Sequence, residues 1–432
     1  MKVLSGTAAV GLVTLLVAAC GSSSSSSSSA ASSSSSSASA QASATPTAGS
    51  SKPCKGTITI GAPLPITGTL AFYGTNYERG FQLAAKEVNA TGGIDGCKLA
   101  VEYTDTQGDL TQSEAAVRRY HSQGIKAIVG TSSSTTDAPD SALANELGMV
   151  GWVEGVDSSI TSRGLKLVVD PAVYTQNFIK PVFVEFANIA KQLKKPPSQI
   201  RVALVYSNDA YGTSNSAAEK AQLNAMHVPI VGSFPYDVAS TNLTPTVLAI
   251  QKSTPTVVIQ TGYTADIVTM WTDAKAVHYA PPYFIGAGGT ATSNFNQALG
   301  SFGTGFIAYD YALPTPKIPA SETFAQQYKQ AYGEPLPSGH ALMAYSSLLM
   351  LADAMRKAGG DNPSAVVAAA HAMNEPLGTY PDGCGFRLNA GGQNLECFSN
   401  AFEWKNGKLT TIWPASSANG SFFGPIPASK KG

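Results

Sequence analysis

From residue 57 onward, short runs of β-branched and aliphatic residues alternate with longer segments whose apolar positions recur every three or four residues. The runs 57–62, 98–104, 127–129 and 149–153 read as buried strands. Between them, Tyr77 to Asn89 places Phe81, Ala84, Ala85 and Val88 on one helical face, and Gly92-Gly93 supply the left-handed cap that ends it. Thr111 and Glu114 have the spacing of a capping box for a helix to about Ser122. Gly130 and a Ser/Thr loop lead into a helix that starts near Asp137 and runs to Leu147. The rhythm repeats with strands at 201–206, 228–234, 257–260 and 283–285 and helices at 211–225, 244–252 and 263–276. Two more helices follow, His340 to Ala358 and Pro363 to Met373. This alternation implies parallel sheets covered on both faces. Two blocks imply two Rossmann-like α/β lobes. In open parallel sheets ligands bind beyond the carboxyl ends of the strands, so facing lobes enclose a ligand between them. The segments around Val169-Asp170-Pro171 and from Phe302 to Ala308 are expected to connect the lobes at a hinge.

The first fifty residues follow other rules. An apolar stretch, Val10 to Ala19, ends in Val17-Ala18-Ala19-Cys20 and is followed by Gly21 and an unbroken serine run, Ser22 to Ser29. It is shorter than the ~20 residues a membrane span requires and has the length of a signal-peptide core. Residues 1–19 read as a lipoprotein signal peptide with Cys20 as the lipidated first mature residue. An ordinary secretory signal or a single membrane helix is the alternative, and Lys2 is the only basic residue ahead of the stretch. A diacyl modification brings two chains at once, which suffices for stable anchoring. Residues 20–53 then form a Ser/Ala-rich leash, too poor in apolar surface to offset its ordering entropy.

The 28 basic and 28 acidic residues balance, so no global charge points to nucleic acid. The 13% charged and 43% hydrophobic content suits a globular body. Cys54, Cys97, Cys384 and Cys397 make an even count in an exported chain, which favours disulfides. Of three connectivities, order along the chain favours 54–97 with 384–397. Cys54 and Cys97 each precede a strand, and Cys384 and Cys397 flank the turn-rich Asn389-Ala390-Gly391-Gly392. No CxxC occurs and no histidine has zinc-like spacing with a cysteine, so no metal is expected. Nor is there a GxSxG elbow, a P-loop or an HExxH, and the Gly286–Gly289 run lacks the rest of a nucleotide fingerprint. Neither catalysis nor a cofactor is expected.

A resemblance adds to this reading. The series Gly61-Ala62-Pro63-Leu64-Pro65-Ile66-Thr67-Gly68, Tyr73-Gly74, Gly80 and Asn89-Ala90-Thr91-Gly92-Gly93-Ile94-Asp95-Gly96 comes first. Val129-Gly130, Ser132-Ser133-Ser134-Thr135, Thr161-Ser162-Arg163-Gly164, Asp209-Ala210-Tyr211-Gly212 and Gly262-Tyr263 follow in order. Together they resemble the branched-chain amino acid-binding proteins, type I periplasmic-binding-protein clamshells that feed ABC importers. The resemblance runs from residue 56 to about 412. It implies lobe 1 over 54–172, lobe 2 over 173–304, a lobe 1 return over 305–376, and completion of lobe 2 with a loose tail over 377–432. It further implies a monomer, held at the extracytoplasmic face of the membrane, that takes a small solute and docks on an ABC permease. A sensor of the same fold, signalling without transport, is the other reading.

The resemblance implies that Ser132, Ser133 and Ser134, ahead of a helix, bind a ligand carboxylate through hydroxyls and N–H groups. The alternative is an N-cap serving only its own helix. Tyr73, Tyr211 and Tyr263 align with cleft-lining aromatics. Two departures stand out. Where amino acid receptors of this family carry an acid in a late Gly-rich turn, this chain has Gly286-Ala287-Gly288-Gly289, leaving Gly288 as bare backbone. Where they have small residues and a hydroxyl, it has Glu154-Gly155-Val156-Asp157. Glu154, and less so Asp157, is expected to pair a cationic or amide-bearing ligand group, with Val156 beside it. The solute classes left open are amino acids, amides, urea-like compounds, polyamines and small aromatic acids.

Overall fold

The first sheet assembles from five short parallel strands. A computed structural model of the protein describes residues 56–426; the signal segment, Cys20 and Cys54 lie outside the described residues. The chain runs β1 (Thr57–Leu64), α1 (Ala71–Ala90), β2 (Lys98–Asp105), α2 (Leu110–Ser122), β3 (Ala127–Val129), α3 (Ser134–Glu146), β4 (Val150–Trp152), α4 (Ser159–Ser162) and β5 (Val168–Val169). These strands pair in the order β2-β1-β3-β4-β5. Helices α5 (Thr175–Phe178) and α6 (Lys180–Leu193) lead to β6 (Val202–Ser207), α7 (Ala210–Ala225), β7 (Ile230–Tyr236), α8 (Thr244–Ser253), β8 (Val257–Thr261), α9 (Thr264–Ala276), β9 (Tyr283–Ala287), α10 (Ser293–Leu299) and β10 (Ile307–Asp310). Three helices follow, α11 (Pro319–Tyr332), α12 (His340–Ala358) and α13 (Pro363–His371), then a hairpin of β11 (Asn400–Lys405) and β12 (Lys408–Trp413). The second sheet has the order β12-β11-β10-β9-β8-β6-β7, and the hairpin is its antiparallel edge.

Several expectations shift on contact with the structure. Helix α2 begins one residue after Asp109, whose carboxylate accepts the Gln112 N–H (2.8 Å), so Asp109 takes the cap and the Thr111/Glu114 box is not used. Helix α3 starts at Ser134 with Ser133 as its cap, three residues before the expected Asp137. Helices α6 and α11 carry no signal singled out in the sequence. The return to the first lobe does not fall at residue 305, because β10 pairs in parallel with β9 inside the second sheet. The chain leaves that sheet after Asp310. Residues 377–397 also stay with the first lobe: Phe386 stacks on Trp152 (5.7 Å), and Asp170 bridges to Gln393. The chain rejoins the second sheet at Asn400.

Helix α12 anchors the returning segment. It is buried along nearly its whole length and packs on α1. Trp152 at the end of β4 donates its indole N–H to the Ser347 carbonyl (3.2 Å). Two of the crossings between lobes lie side by side. Asn394 donates to the Pro171 carbonyl (2.8 Å), Asn177 to the Cys397 carbonyl (2.9 Å) and Ser399 to the Phe178 carbonyl. Beyond the single bridge at Asp170 and Gln393, side-chain amides and hydroxyls that cap backbone groups hold these segments in register.

Cys384 and Cys397 form a disulfide. Cys97 is disulfide-bonded too, and Thr57 and Lys98 are register partners at the starts of β1 and β2. The acid Asp382 lies close to Cys384 and Cys397, but both thiols are consumed, so the trio offers no thiolate to a metal. No helix among the described residues is long and apolar enough to cross a membrane.

The α1–α12 contact depends on a missing side chain. A Cβ at Gly80 would stand 2.3 Å from the Ala341 carbonyl oxygen, which is helix backbone and cannot yield. Gly80→Ala is expected to lower stability by about 1–3 kcal/mol, the range for overpacking a tight contact. Urea unfolding of the purified variant measures it; an unchanged midpoint would mean that the helices have room to separate.

Candidate functional site

The carboxyl ends of β4, β8 and β9 and the amino ends of α3 and α7 converge on one cavity. All nine residues singled out in the sequence line it: Tyr73 from α1, Ser132, Ser133 and Ser134 at the start of α3, Glu154 and Val156 after β4, Tyr211 at the start of α7, Tyr263 after β8, and Gly288 after β9. Asp157 is not among the lining residues; its carboxylate accepts from the N–H and hydroxyl of Ser159.

Local geometry explains the serine cluster. Ser132 sits in the left-handed region (φ 65°), turning the chain so that Ser133 caps α3 through its bond to the Thr135 N–H (3.4 Å). The Ser132 hydroxyl is buried and makes no hydrogen bond. The positive end of the α3 dipole and an unengaged hydroxyl beside it suit an anion, although the Thr135, Thr136 and Asp137 N–H groups are already bonded to Ser133.

The lobes also touch across the cavity. The Tyr73 hydroxyl accepts the Thr264 N–H (2.9 Å) and shares a hydrogen bond with the Thr264 hydroxyl (3.0 Å). Ser133 Oγ and Tyr263 Oη approach to 3.5 Å, and Tyr263 donates to Asp209 (2.7 Å). Aromatic rings continue the wall: Tyr73 meets Tyr263 edge-on at 5.6 Å, and Tyr211 lies 5.2 Å from Tyr263.

The late Gly-rich turn cannot hold an acid. At Gly288 (φ 45°) a Cβ would come within 3.1 Å of the Gly262 carbonyl and 3.2 Å of Tyr211 Oη. At Gly289 it would stand 2.4 Å from the Tyr263 carbonyl carbon. The acids are elsewhere. Glu154 is buried; Ser347 donates to one carboxyl oxygen and the other has no partner. Asp137 is fully buried, with Thr131 donating to one oxygen (2.9 Å) and the second unengaged. Asp310, at the end of β10, also has an oxygen without a hydrogen bond. Burial drives all three upward: Glu154 to about 8, Asp310 to about 7, and Asp137 well above the carboxylate range, where Glu154 adds to the effect. His340 Nδ1 stands 3.7 Å from Asp310, but burial pushes the imidazole down to about 3 and the Ser338 hydroxyl lies nearer (3.2 Å). The imidazole is therefore neutral and gives Asp310 no counter-charge. No lysine or arginine lines the cavity.

Sequence reasoning missed Tyr77, Asp137, Gly155, Phe178, Gly262, Asp310, Tyr311 and His340 among the lining residues. Tyr77 and Asp137 were within reach, each one helical turn beyond a chosen residue. Gly155 and Gly262 are chain neighbours of chosen residues. Asp310 and Tyr311 were hidden because their strand was read as a crossing, and Phe178 and His340 arrive through long-range packing.

Comparison with known proteins agrees with this architecture. The sequence pattern described as periplasmic binding protein matches residues 57–408. The chain belongs to the periplasmic binding protein family. The Leu/Ile/Val-binding protein homolog 7 of Brucella suis biovar 1 (strain 1330) is 31% identical over 378 residues, covering 85% of this chain and 94% of the relative. The Leu/Ile/Val-binding protein homolog 8 of Brucella abortus (strain 2308) is 30% identical over 371 residues, 84% and 91% of the two chains. Among solved structures, the branched-chain amino acid transporter substrate binding protein LivJ from Streptococcus pneumoniae, in complex with isoleucine, superposes with a TM-score of 0.71 at 20% identity. That match covers 83% of this chain and all of the other. A Desulfitobacterium hafniense ABC transporter substrate-binding protein in complex with Leu gives 0.67 at 20% identity, with 83% and 100% coverage. The members of this family are extracytoplasmic binding proteins.

Burial places the folded carboxyls above their unfolded values of 4.5 for Glu and 3.8 for Asp. Their share of stability is thus intact below those unfolded values and is lost as pH rises toward about 8. The ligand-free protein is expected to weaken between pH 5 and pH 9, and Glu154→Gln to weaken less. Urea midpoints of both proteins at the two pH values test this; parallel declines would show that Glu154 does not titrate in that window.

Proposed function

We propose that this protein is the substrate-binding component of an ABC importer for an amino acid or a related small polar solute, delivered by closure of the two lobes. The observation that carries this is the cavity itself, with an anion-suited helix terminus and unengaged carboxyl oxygens lining one space between the lobes. A solute with a carboxylate and an ammonium group satisfies both ends. The names of the relatives, Leu/Ile/Val-binding proteins and branched-chain amino acid receptors, support the amino acid class. In this reading Ser132, Ser133 and Ser134 take the carboxylate and Glu154 pairs the ammonium. Tyr73, Tyr211 and Tyr263 wall the ligand, with Val156 and the Gly288 backbone beside it. The pattern around Cys20 supports tethering by lipid at the extracytoplasmic face, next to the permease. No catalytic step is part of this reading, and the monomer is its working unit.

A thermal-shift panel of amino acids, amides, urea, polyamines and small aromatic acids on the purified protein tests it. A ligand at a hundred times its dissociation constant stabilises by about 2.7 kcal/mol. At least one amino acid is expected to produce such a shift, and Glu154→Gln to weaken its binding about tenfold or more, as loss of a buried charged partner does. A panel in which no amino acid binds would refute the substrate class, and unchanged affinity in the variant would refute the Glu154 role.

A further inference from the structure

Charge balance in the cavity asks for more than one ammonium. Asp137 and Glu154 belong to the first lobe, on α3 and just past β4, and act on each other. Asp310 ends β10, in the second sheet, where the chain departs for α11. Each of the three has a buried oxygen with no hydrogen bond, and each lines the same space. They reach the cavity from different lobes, Asp137 and Glu154 from the first and Asp310 from the end of the second sheet. Tyr73 and Tyr311 ring His340 at 4.7 and 5.0 Å, giving the Asp310 end a π-rich wall of the kind that suits an organic cation.

We infer that the ligand carries two cationic centres, one at Asp137–Glu154 and a second at Asp310, and is therefore an amino acid with a basic side chain. The inference rests on the substrate-binding reading above and names its solute. A neutral aliphatic amino acid leaves one carboxyl end without a partner, whichever way its ammonium points. A basic side chain answers the second end, and the serine terminus of α3 takes the carboxylate that a plain diamine lacks. Asp310 is faced by His340, Tyr73, Tyr211, Tyr309 and Tyr311, and none of these is a standing cation at neutral pH.

Calorimetric titration of the wild-type protein with lysine, ornithine, arginine, norleucine, isoleucine and putrescine decides it. The best basic amino acid is expected to bind at least about tenfold tighter than norleucine, which offers a similar chain without the second ammonium. Asp310→Asn is expected to erase most of that preference for the basic ligand over norleucine. Norleucine or isoleucine binding as tightly as every basic amino acid would overturn the inference and leave the amino acid receptor standing. Binding of putrescine above all amino acids would overturn it in favour of a diamine. Silence across the panel would sink both readings. Should Asp310→Asn not fold, the wild-type comparison of basic ligand with norleucine decides alone.

Discussion

An ionised carboxylate buried without a counter-charge is among the costliest groups a protein can hold, and here three buried carboxyl groups line one cavity with no lysine or arginine in its wall. Everything else at the site makes sense as accommodation of that fact. Without ligand the acids keep protons, as the upward displacement of Glu154, Asp310 and Asp137 implies. A cationic solute replaces those protons with charge pairs in a low-dielectric space, where such pairs are strong. The selectivity of the cavity is therefore written in what it lacks as much as in what it contains.

The same asymmetry gives closure its energy source. Direct lobe-to-lobe bonds across the cavity are few, the Tyr73–Thr264 pair and the long Ser133–Tyr263 approach being the principal ones. A couple of buried hydrogen bonds at about 1 kcal/mol each hold an empty clamshell only weakly. A ligand that meets both walls adds its own differential affinity for the closed form, and that difference is all that can shift the population. The crossings suit such a motion. Asn177, Asn394 and Ser399 bond to neighbouring backbone and keep two of the crossing segments in register, with one bridge, Asp170 to Gln393, at their first-lobe end.

Most of the architecture was legible in the sequence because both blocks obey one rule, a buried strand followed by an amphipathic helix. The nine residues chosen there do meet at one cavity, since residues after strands in a parallel sheet share an edge. What escaped was set by distance along the chain. Helix α12 reaches the site at His340, hundreds of residues after β1, and no local pattern announces that. Asp310 was missed for a different reason. Its strand is only four residues long and follows a glycine-rich stretch, so Phe302 to Ala308 read as a connector, whereas pairing with β9 makes it sheet. The capping box on α2 failed because the helix starts two residues earlier, with Asp109 as its cap, which leaves Thr111 inside the first turn.

The displaced acid follows from backbone packing. The turn at Gly288–Gly289 runs so close to Tyr263, Gly262 and Tyr211 that a side chain at either position meets backbone or a phenol oxygen. With that route closed, negative charge is available only from the first lobe and from the end of β10. The consequence is an order of events. The serine terminus of α3 and Glu154 lie on the same lobe, so carboxylate and ammonium can both engage while the clamshell is open, and Tyr211 and Tyr263 then arrive from the other side as walls. A receptor with its acid in the late turn needs the second lobe to complete the ammonium contact. On the proposed roles, recognition of a zwitterion would precede closure, and closure would add exclusion of water from charge pairs already made, the step that strengthens them.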